Sequence, residues 1–88
     1  VIKSFKHKGL KKFFNSDSVV GINPQHKERI RLLLSVLDVA KGVTDFAPDL
    51  NLHRWKVADT WSIKVSGNWR IIFRFDGQDV IDVDLWSH

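Results

Sequence analysis

Residues 60–75 read TWSIKVSGNWRIIFRF, and this stretch decides the fold. Trp61, Ile63 and Val65 alternate with Ser62, Lys64 and Ser66. Beyond Gly67-Asn68, Trp69, Ile71, Phe73 and Phe75 alternate with Arg70, Ile72 and Arg74. Period two in β-branched and aromatic residues predicts two strands, and Gly-Asn between them predicts a hairpin. A two-residue loop would set Val65 against Arg70 and Ile63 against Ile72, which splits the apolar sets between opposite faces. A one-residue slip moves every side chain to the other face, so one-sided burial selects an odd loop. Three-residue loops with Gly or Asn in a left-handed conformation are common, which points to Ser66-Gly67-Asn68. The expected pairs are Val65 with Trp69, Ile63 with Ile71 and Trp61 with Phe73. Ser62, Lys64, Arg70 and Arg74 then share the polar face, which is either solvated or a platform for an anion.

The flanking residues extend the pattern. Residues 79–88 alternate Ile81, Val83 and Leu85 with Asp82, Asp84 and Trp86, which predicts a last strand. A three-residue loop at 76–78 would set Phe75 against Asp79, Phe73 against Ile81 and Arg70 against Asp84, with His88 on the polar face near Ser66 and Lys64. Residues 50–57 (LNLHRWKV) read as a strand entering the hairpin, and 43–51, with Pro48, as a connection of little regular structure. Upstream, residues 24–41 predict a helix. Pro24 opens it, Asn23 caps it, Ile30, Leu33, Leu34, Leu37 and Ala40 form its core face, and Gly42 stops it. Residues 6–14 predict a basic helix with Leu10, Phe13 and Phe14 as its apolar stripe, and 1–5 a short strand. The expected class is α+β: a short N-terminal strand, two helices, then a largely antiparallel sheet with the helices packed on one face.

The chain has 88 residues, which points to one domain, residues 1–88, with one modest core. It has no Cys, which removes disulfides and thiolate metal sites and suits a reducing cytoplasm. No apolar run approaches the roughly 18 residues of a membrane span, and the basic N-terminus lacks a signal-peptide core. Val at position 1 is consistent with a removed initiator or a start inside the gene. The net charge is +4 and unevenly spread. Residues 1–14 carry Lys3, Lys6, Lys8, Lys11 and Lys12 and no acid; residues 75–88 carry Asp76, Asp79, Asp82 and Asp84 and no Lys or Arg. Either a polyanion binds on one side, or charges pair across the surface.

Phosphate loops, dinucleotide fingerprints and zinc spacings are absent, and His7, His26, His53 and His88 never fall at i, i+4 on one helix, so neither a metal nor a cofactor is expected. What remains is His53, Lys56, Lys64, Arg70, Arg74, Asp84 and His88. Metal-free RNA cleavage uses such groups. A base activates the 2′-hydroxyl, cations stabilise the phosphorane, and an acid protonates the leaving 5′-oxygen. Trp55 and Trp86 are candidates to stack on exposed bases, whereas Trp61 and Trp69 are expected to be partly buried.

These residues also carry a resemblance. The chain resembles the HigB-type toxins, or plasmid maintenance killer proteins, of the RelE/ParE toxin superfamily, over almost its whole length. The likeness lies in the opening IKSFKHKGLKK at 2–12, the Leu-rich second helix, Leu52-His53 followed by Lys56, and His88. It is clearest in Trp61-Ser62-Ile63 and Asn68-Trp69-Arg70-Ile71. The resemblance implies a cytoplasmic, ribosome-dependent, metal-independent mRNA endoribonuclease that inhibits translation. The implied partners are the ribosome, mRNA and a HigA-type helix-turn-helix antitoxin, with operator DNA bound only through the antitoxin complex and no membrane partner. Carried over by position, His53 and His88 are acid/base candidates, and Lys56 and Arg70 hold the phosphate. Lys8, Lys11 and Lys12 meet ribosomal RNA; Lys64 and Arg74 from the polar face and Trp86 as a stacking candidate, read from the residues themselves, complete the expected RNA-binding set. The pattern departs where relatives end Asp-Tyr-His and this chain ends Trp86-Ser87-His88. A second basic position is Ser66 here, and a Gly after the Lys is Val57. These departures leave open that Asp84 supplies the acidic group. They also leave open a toxin that acts by binding, as ParE-type relatives do on DNA gyrase, and a degenerate toxin retained as antitoxin partner.

Overall fold

A computed structural model describes residues 1–56 and 59–87. Two helices, α1 (Lys8–Ser16) and α2 (Lys27–Val39), precede four strands, β1 (His53–Arg54), β2 (Thr60–Ser66), β3 (Trp69–Asp76) and β4 (Asp79–Ser87). The strands form one antiparallel sheet in the order β1-β2-β3-β4, and the helices pack on one of its faces. The architecture is the expected α+β. Among the described residues no helix is long and apolar enough to cross a membrane.

The first hairpin reaches the expected register by a different route. Ile63 faces Ile71 and Trp61 faces Phe73, as one-sided burial requires. The turn, however, has two residues, Gly67-Asn68, with Ser66 opposite Trp69, and Val65 is the extra residue of a bulge. A two-residue turn plus one bulged residue displaces the register as a three-residue loop does, so both apolar sets still reach one face. Gly67 holds φ +55, a left-handed conformation that a residue without Cβ adopts at little cost.

The second hairpin corrects the predicted pairs. Its turn is Gly77-Gln78, with Asp76 opposite Asp79, Phe75 opposite Val80 and Arg74 opposite Ile81. The register then shifts, and Ile72 faces Asp84 while Arg70 faces Trp86, not Asp84. The shift surrounds Asp82, which holds φ +57. Short polar side chains tolerate that region best. Ser4 Oγ accepts the Asp82 N–H at 2.9 Å, and Arg74 Nη1 stands 3.3 Å from Asp82 Oδ2. The physical reason for the bulge lies in the core. Val80 and Val83 are both fully buried, yet three positions apart, and an unbroken strand would put them on opposite faces.

Beyond β4 the N-terminal segment forms isolated parallel bridges, Ile2 with Val80 and Phe5 with Val83, in place of a continuous strand. The gap between them lies where Asp82 interrupts β4. The β1 strand is likewise shorter than predicted, and the part of that expectation falling on Val57 lies outside the described residues.

The helices follow their apolar spacing. Ile30, Leu33, Leu34, Leu37 and Ala40 are at most 1% exposed, and Leu10 and Phe13 complete the helical side of the core. Asn23 Oδ1 accepts the Gln25 N–H at 2.9 Å, but the capped turn Pro24–His26 is 3-10, and α2 proper starts at Lys27. The helix ends before Gly42. Ala40 turns extended, and Asp45 Oδ2 accepts the Lys41 N–H at 2.7 Å, so Gly42 is not the left-handed stop that its position predicts. The 43–51 connection carries short 3-10 turns at Val43–Asp45 and Pro48–Leu50, and it buries Phe46 and Leu50.

The start of α1 also differs from expectation. His7 is its N-cap, and Nδ1 accepts the Leu10 N–H at 3.0 Å. That nitrogen must be the unprotonated one. A Cβ on Gly9 would lie 2.8 Å from His7 Cε1. Gly→Ala inside a helix normally stabilises by about 1 kcal/mol, and losing a cap costs about the same. Gly9→Ala is therefore expected to give no net gain in thermal stability. In a His7→Ala background, where the imidazole contact is gone and the Val20 carbonyl at 3.3 Å is the remaining close neighbour, the same change is expected to be more favourable than in the wild type. A double-mutant cycle by thermal melting checks this coupling.

Candidate functional site

The face of the sheet away from the helices is built by the register. Directly opposed residues share a face, so His53, Ser62, Ile72 and Asp84 form one row across the four strands. Lys64, Arg70 and Trp86 form the next row. Thr60, Arg74 and Ile81 form a third. Strand alternation alone therefore brings His53, Lys64, Arg70, Asp84 and Trp86 onto one surface. Trp55 joins them, since its ring centroid is 5.0 Å from that of Trp86 at an interplanar angle of 71°. Lys56 follows, with Nζ 6.0 Å from the Trp55 ring centroid.

The electrostatics of this face are unbalanced. Lys64 and Arg70 sit directly opposite each other on neighbouring strands, an arrangement of like charges that destabilises a sheet unless an anion compensates it. Among the described residues, neither has a carboxylate in ion-pair range; the pairs formed are Arg31 with Asp17 and Glu28, Arg74 with Asp82, and the N-terminal ammonium with Asp79. Asp84 does not compensate Arg70. It lies in the neighbouring row, and its Oδ1 accepts the Leu85 N–H at 2.9 Å. Arg29 adds positive charge at the bulged end of β2, where its Nη2 donates to the Lys64 carbonyl at 3.3 Å. A groove or face of this kind, with cations beside half-buried aromatic rings, suits a flexible polyanion that also carries π surfaces.

The predicted site residues divide into three groups. His53, Lys56, Lys64, Arg70 and Trp86 cluster on or beside the outer face. Arg74 belongs to the face too, but its charge is taken by Asp82. Lys8, Lys11 and Lys12 lie on α1 in the helical layer, so they do not converge with Arg70. His88, and with it the expected position near Ser66 and Lys64, lies outside the described residues. Two features escaped the sequence reading. Arg29, whose guanidinium reaches the end of β2, is not among the predicted site residues. Ser62, expected on the polar face, is only 2% exposed. Trp61 and Trp69 are partly buried against the core, as expected, and Trp69 also meets His26 edge-on at 6.2 Å.

Comparison with known proteins gives the family. The profile of the family described as "RelE-like toxin of type II toxin-antitoxin system HigB" matches residues 3–88. The chain is also 39% identical over 82 residues to the "Endoribonuclease HigB" of Proteus vulgaris, covering 90% of this chain and 89% of that protein. The chain belongs to the HigB-type toxins. In this toxin the Trp61-Ser62-Ile63 and Asn68-Trp69-Arg70-Ile71 segments are the facing arms of the first hairpin. They set Lys64 against Arg70 on the outer face while their apolar residues hold the core. As a type II toxin it has an antitoxin counterpart.

Proposed function

We propose that this toxin is an endoribonuclease that cuts mRNA on the ribosome without a metal ion and so inhibits translation in the cytoplasm. The observation that carries the reading is the uncompensated Lys64–Arg70 pair, with Trp86 next to Arg70 in the same row, His53 on the same face and Lys56 beside Trp55. The similarity to a protein named as an endoribonuclease supports it. In the proposed reaction the 2′-oxygen attacks the adjacent phosphorus and gives its proton to a base. The P–O5′ bond breaks, and the departing 5′-oxygen takes a proton from an acid. The products are a 2′,3′-cyclic phosphate and a 5′-hydroxyl. His53 and His88 are the proton-transfer groups, and Arg70 and Lys56 stabilise the phosphorane charge. Lys8, Lys11 and Lys12, on the other layer, meet ribosomal RNA. A HigA-type helix-turn-helix antitoxin is the neutralising partner, and operator DNA is contacted through that complex.

The test is cleavage of a defined mRNA in a purified translating ribosome system. The wild-type toxin is expected to cut ribosome-bound mRNA and to spare the same mRNA free in solution. His53→Ala and His88→Ala are each expected to cut about 10²-fold more slowly or worse. A wild-type protein that arrests growth yet leaves ribosome-bound mRNA intact would overturn the reading, and DNA gyrase would then be the target to assay. If only one histidine variant loses cleavage, the proton transfers belong to that residue alone.

A further inference from the structure

Of the two opposed cations, Lys64 has the backbone that the sheet holds least. The Trp55 N–H donates to the Thr60 carbonyl at 2.8 Å, so Thr60 points its polar backbone groups toward β1. These groups alternate sides along a strand, so Ser62 and Lys64 point theirs the same way. Lys64 and Arg70 are therefore a non-hydrogen-bonded pair, with Cα atoms about 4.5 Å apart and side chains at their closest. The Lys64 carbonyl thus faces away from β3, toward the side where β1 has already ended. Continued by two residues, the register that sets His53 opposite Ser62 would bring Asn51 opposite Lys64. Asn51 instead holds φ +54, and its N–H donates to the Pro48 carbonyl at 3.2 Å. One residue further along β2, the bulge at Val65 interrupts the ladder with β3.

The donor that takes the place of the Asn51 amide comes from the helical layer. Arg29 Nη2 donates to the Lys64 carbonyl at 3.3 Å. Arg29 is half-buried and precedes the fully buried Ile30, so the core anchors its backbone. Reaching from α2 to the open edge of β2 takes a long side chain with a donor at its tip. The contact fixes the backbone of a residue that carries one of two directly opposed like charges. An edge strand held on neither side would relieve that repulsion by letting Lys64 swing away from Arg70. A guanidinium prevents the swing without cancelling charge: it binds the carbonyl and leaves the Lys64 ammonium to an anion. A carboxylate on the ammonium would have fixed the side chain and quenched it together.

We infer that Arg29 is a positioning residue: it holds the Lys64 carbonyl at the open edge of β2 and so keeps the Lys64 ammonium opposite the Arg70 guanidinium, where both charges meet one phosphate. The inference rests on the RNA-cleaving reading and adds to it a residue that touches β2 and not the substrate. Arg29 acts through the backbone of Lys64, so its effect exists only while Lys64 has an ammonium to place. Misplacing a reacting or binding group by about 1 Å costs up to about 10²-fold in rate. Losing Arg29 loosens Lys64 without removing it, which sets the expected loss at about tenfold.

The test is a double-mutant cycle on single-turnover cleavage of ribosome-bound mRNA. Arg29→Met keeps the stem and loses the donor, and it is expected to cut about tenfold more slowly than wild type. In a Lys64→Ala background the same change is expected to cost less than about twofold, because Arg29 then has no ammonium to place. Arg29→Lys keeps a long side chain with a donor and is expected to cut within about threefold of wild type. An equal loss from Arg29→Met in both backgrounds would overturn the inference, since Arg29 would then meet RNA itself or support the fold at large. So would a variant that cuts like wild type, or one whose melting temperature falls by more than the roughly 8 °C that one lost hydrogen bond explains. A second measurement needs no activity. Amide hydrogen exchange at Lys64, Val65 and Ser66 is expected to quicken in Arg29→Met while the rest of β2 stays protected, and unchanged exchange at all three would show that Arg29 holds nothing there. Should wild-type toxin fail to cut at all, the RNA-cleaving reading itself falls, and that outcome is seen before any Arg29 variant is made.

Discussion

Arg70→Ala is expected to lower mRNA cleavage about 10²- to 10³-fold while leaving the fold intact. Removing one preorganised donor aimed at developing charge has an effect of that size. Arg70 sits in the middle of the outer face, with Lys64 opposite on one strand and Trp86 opposite on the other. No carboxylate among the described residues shares its charge. Its guanidinium is thus available for the phosphate. The same placement makes the variant stable, because removing one of two directly opposed cations relieves repulsion. The melting temperature should stay level or rise slightly. Arg70→Lys keeps the charge and loses the planar fork, so it should fall between Ala and wild type. Single-turnover cleavage on ribosomes, with thermal melting of each variant, checks both halves. A folded Arg70→Ala protein that cuts at the wild-type rate would remove Arg70 from the mechanism, and one that melts early would make its role structural.

Phe73→Ala is expected to be the most damaging single change to stability, about 3–5 kcal/mol. Phe73 is fully buried on β3, opposite Trp61. Its ring stacks on Phe46 at 5.8 Å and meets Phe75 edge-on at 5.5 Å. Phe46 belongs to the connection between α2 and β1, so Phe73 is the post on which that connection is held to the sheet. Truncation leaves a cavity beneath a segment that has only short 3-10 turns to support itself. Against a total stability of about 5–15 kcal/mol, the loss is a large fraction. At about 4–8 °C per kcal/mol for a domain of this size, the melting temperature should fall by about 12–40 °C. Phe73→Leu, which retains most of the volume, should cost far less. Denaturant and thermal unfolding measure the difference, and a fall of under about 5 °C for the Ala variant would contradict this account of the core.

The two predictions separate the faces of the sheet: Arg70 and Phe73 are three positions apart on one strand, one serving the site and the other the core. That separation was already legible in the sequence. Alternation along 60–75 determined which residues face inward, helical spacing determined the core stripe of α2, and the polar set on the other side followed. Lys64 and Arg70 on one face are a direct consequence of period two, and that survived every correction to the loops, whereas His53 joins them only through the pairing of β1 with β2. Local patterns are strong there because each position is constrained by its neighbours and by one-sided burial.

What the tertiary structure decided are the quantities that depend on a second element. The bulge at Asp82 exists because Val80 and Val83 must both reach the core, while Ser4, far away in the chain, receives the displaced N–H. The two-residue turn and that extra residue, one position each, moved the partner of Arg70 from Asp84 to Trp86. They thereby left the cation without an acid and placed it beside an indole. The meeting of Trp55 with Trp86 likewise depends on the accumulated twist of four strands, which no local window contains. Sequence alone determined the face; the twist and one bulge decided what stands on it side by side.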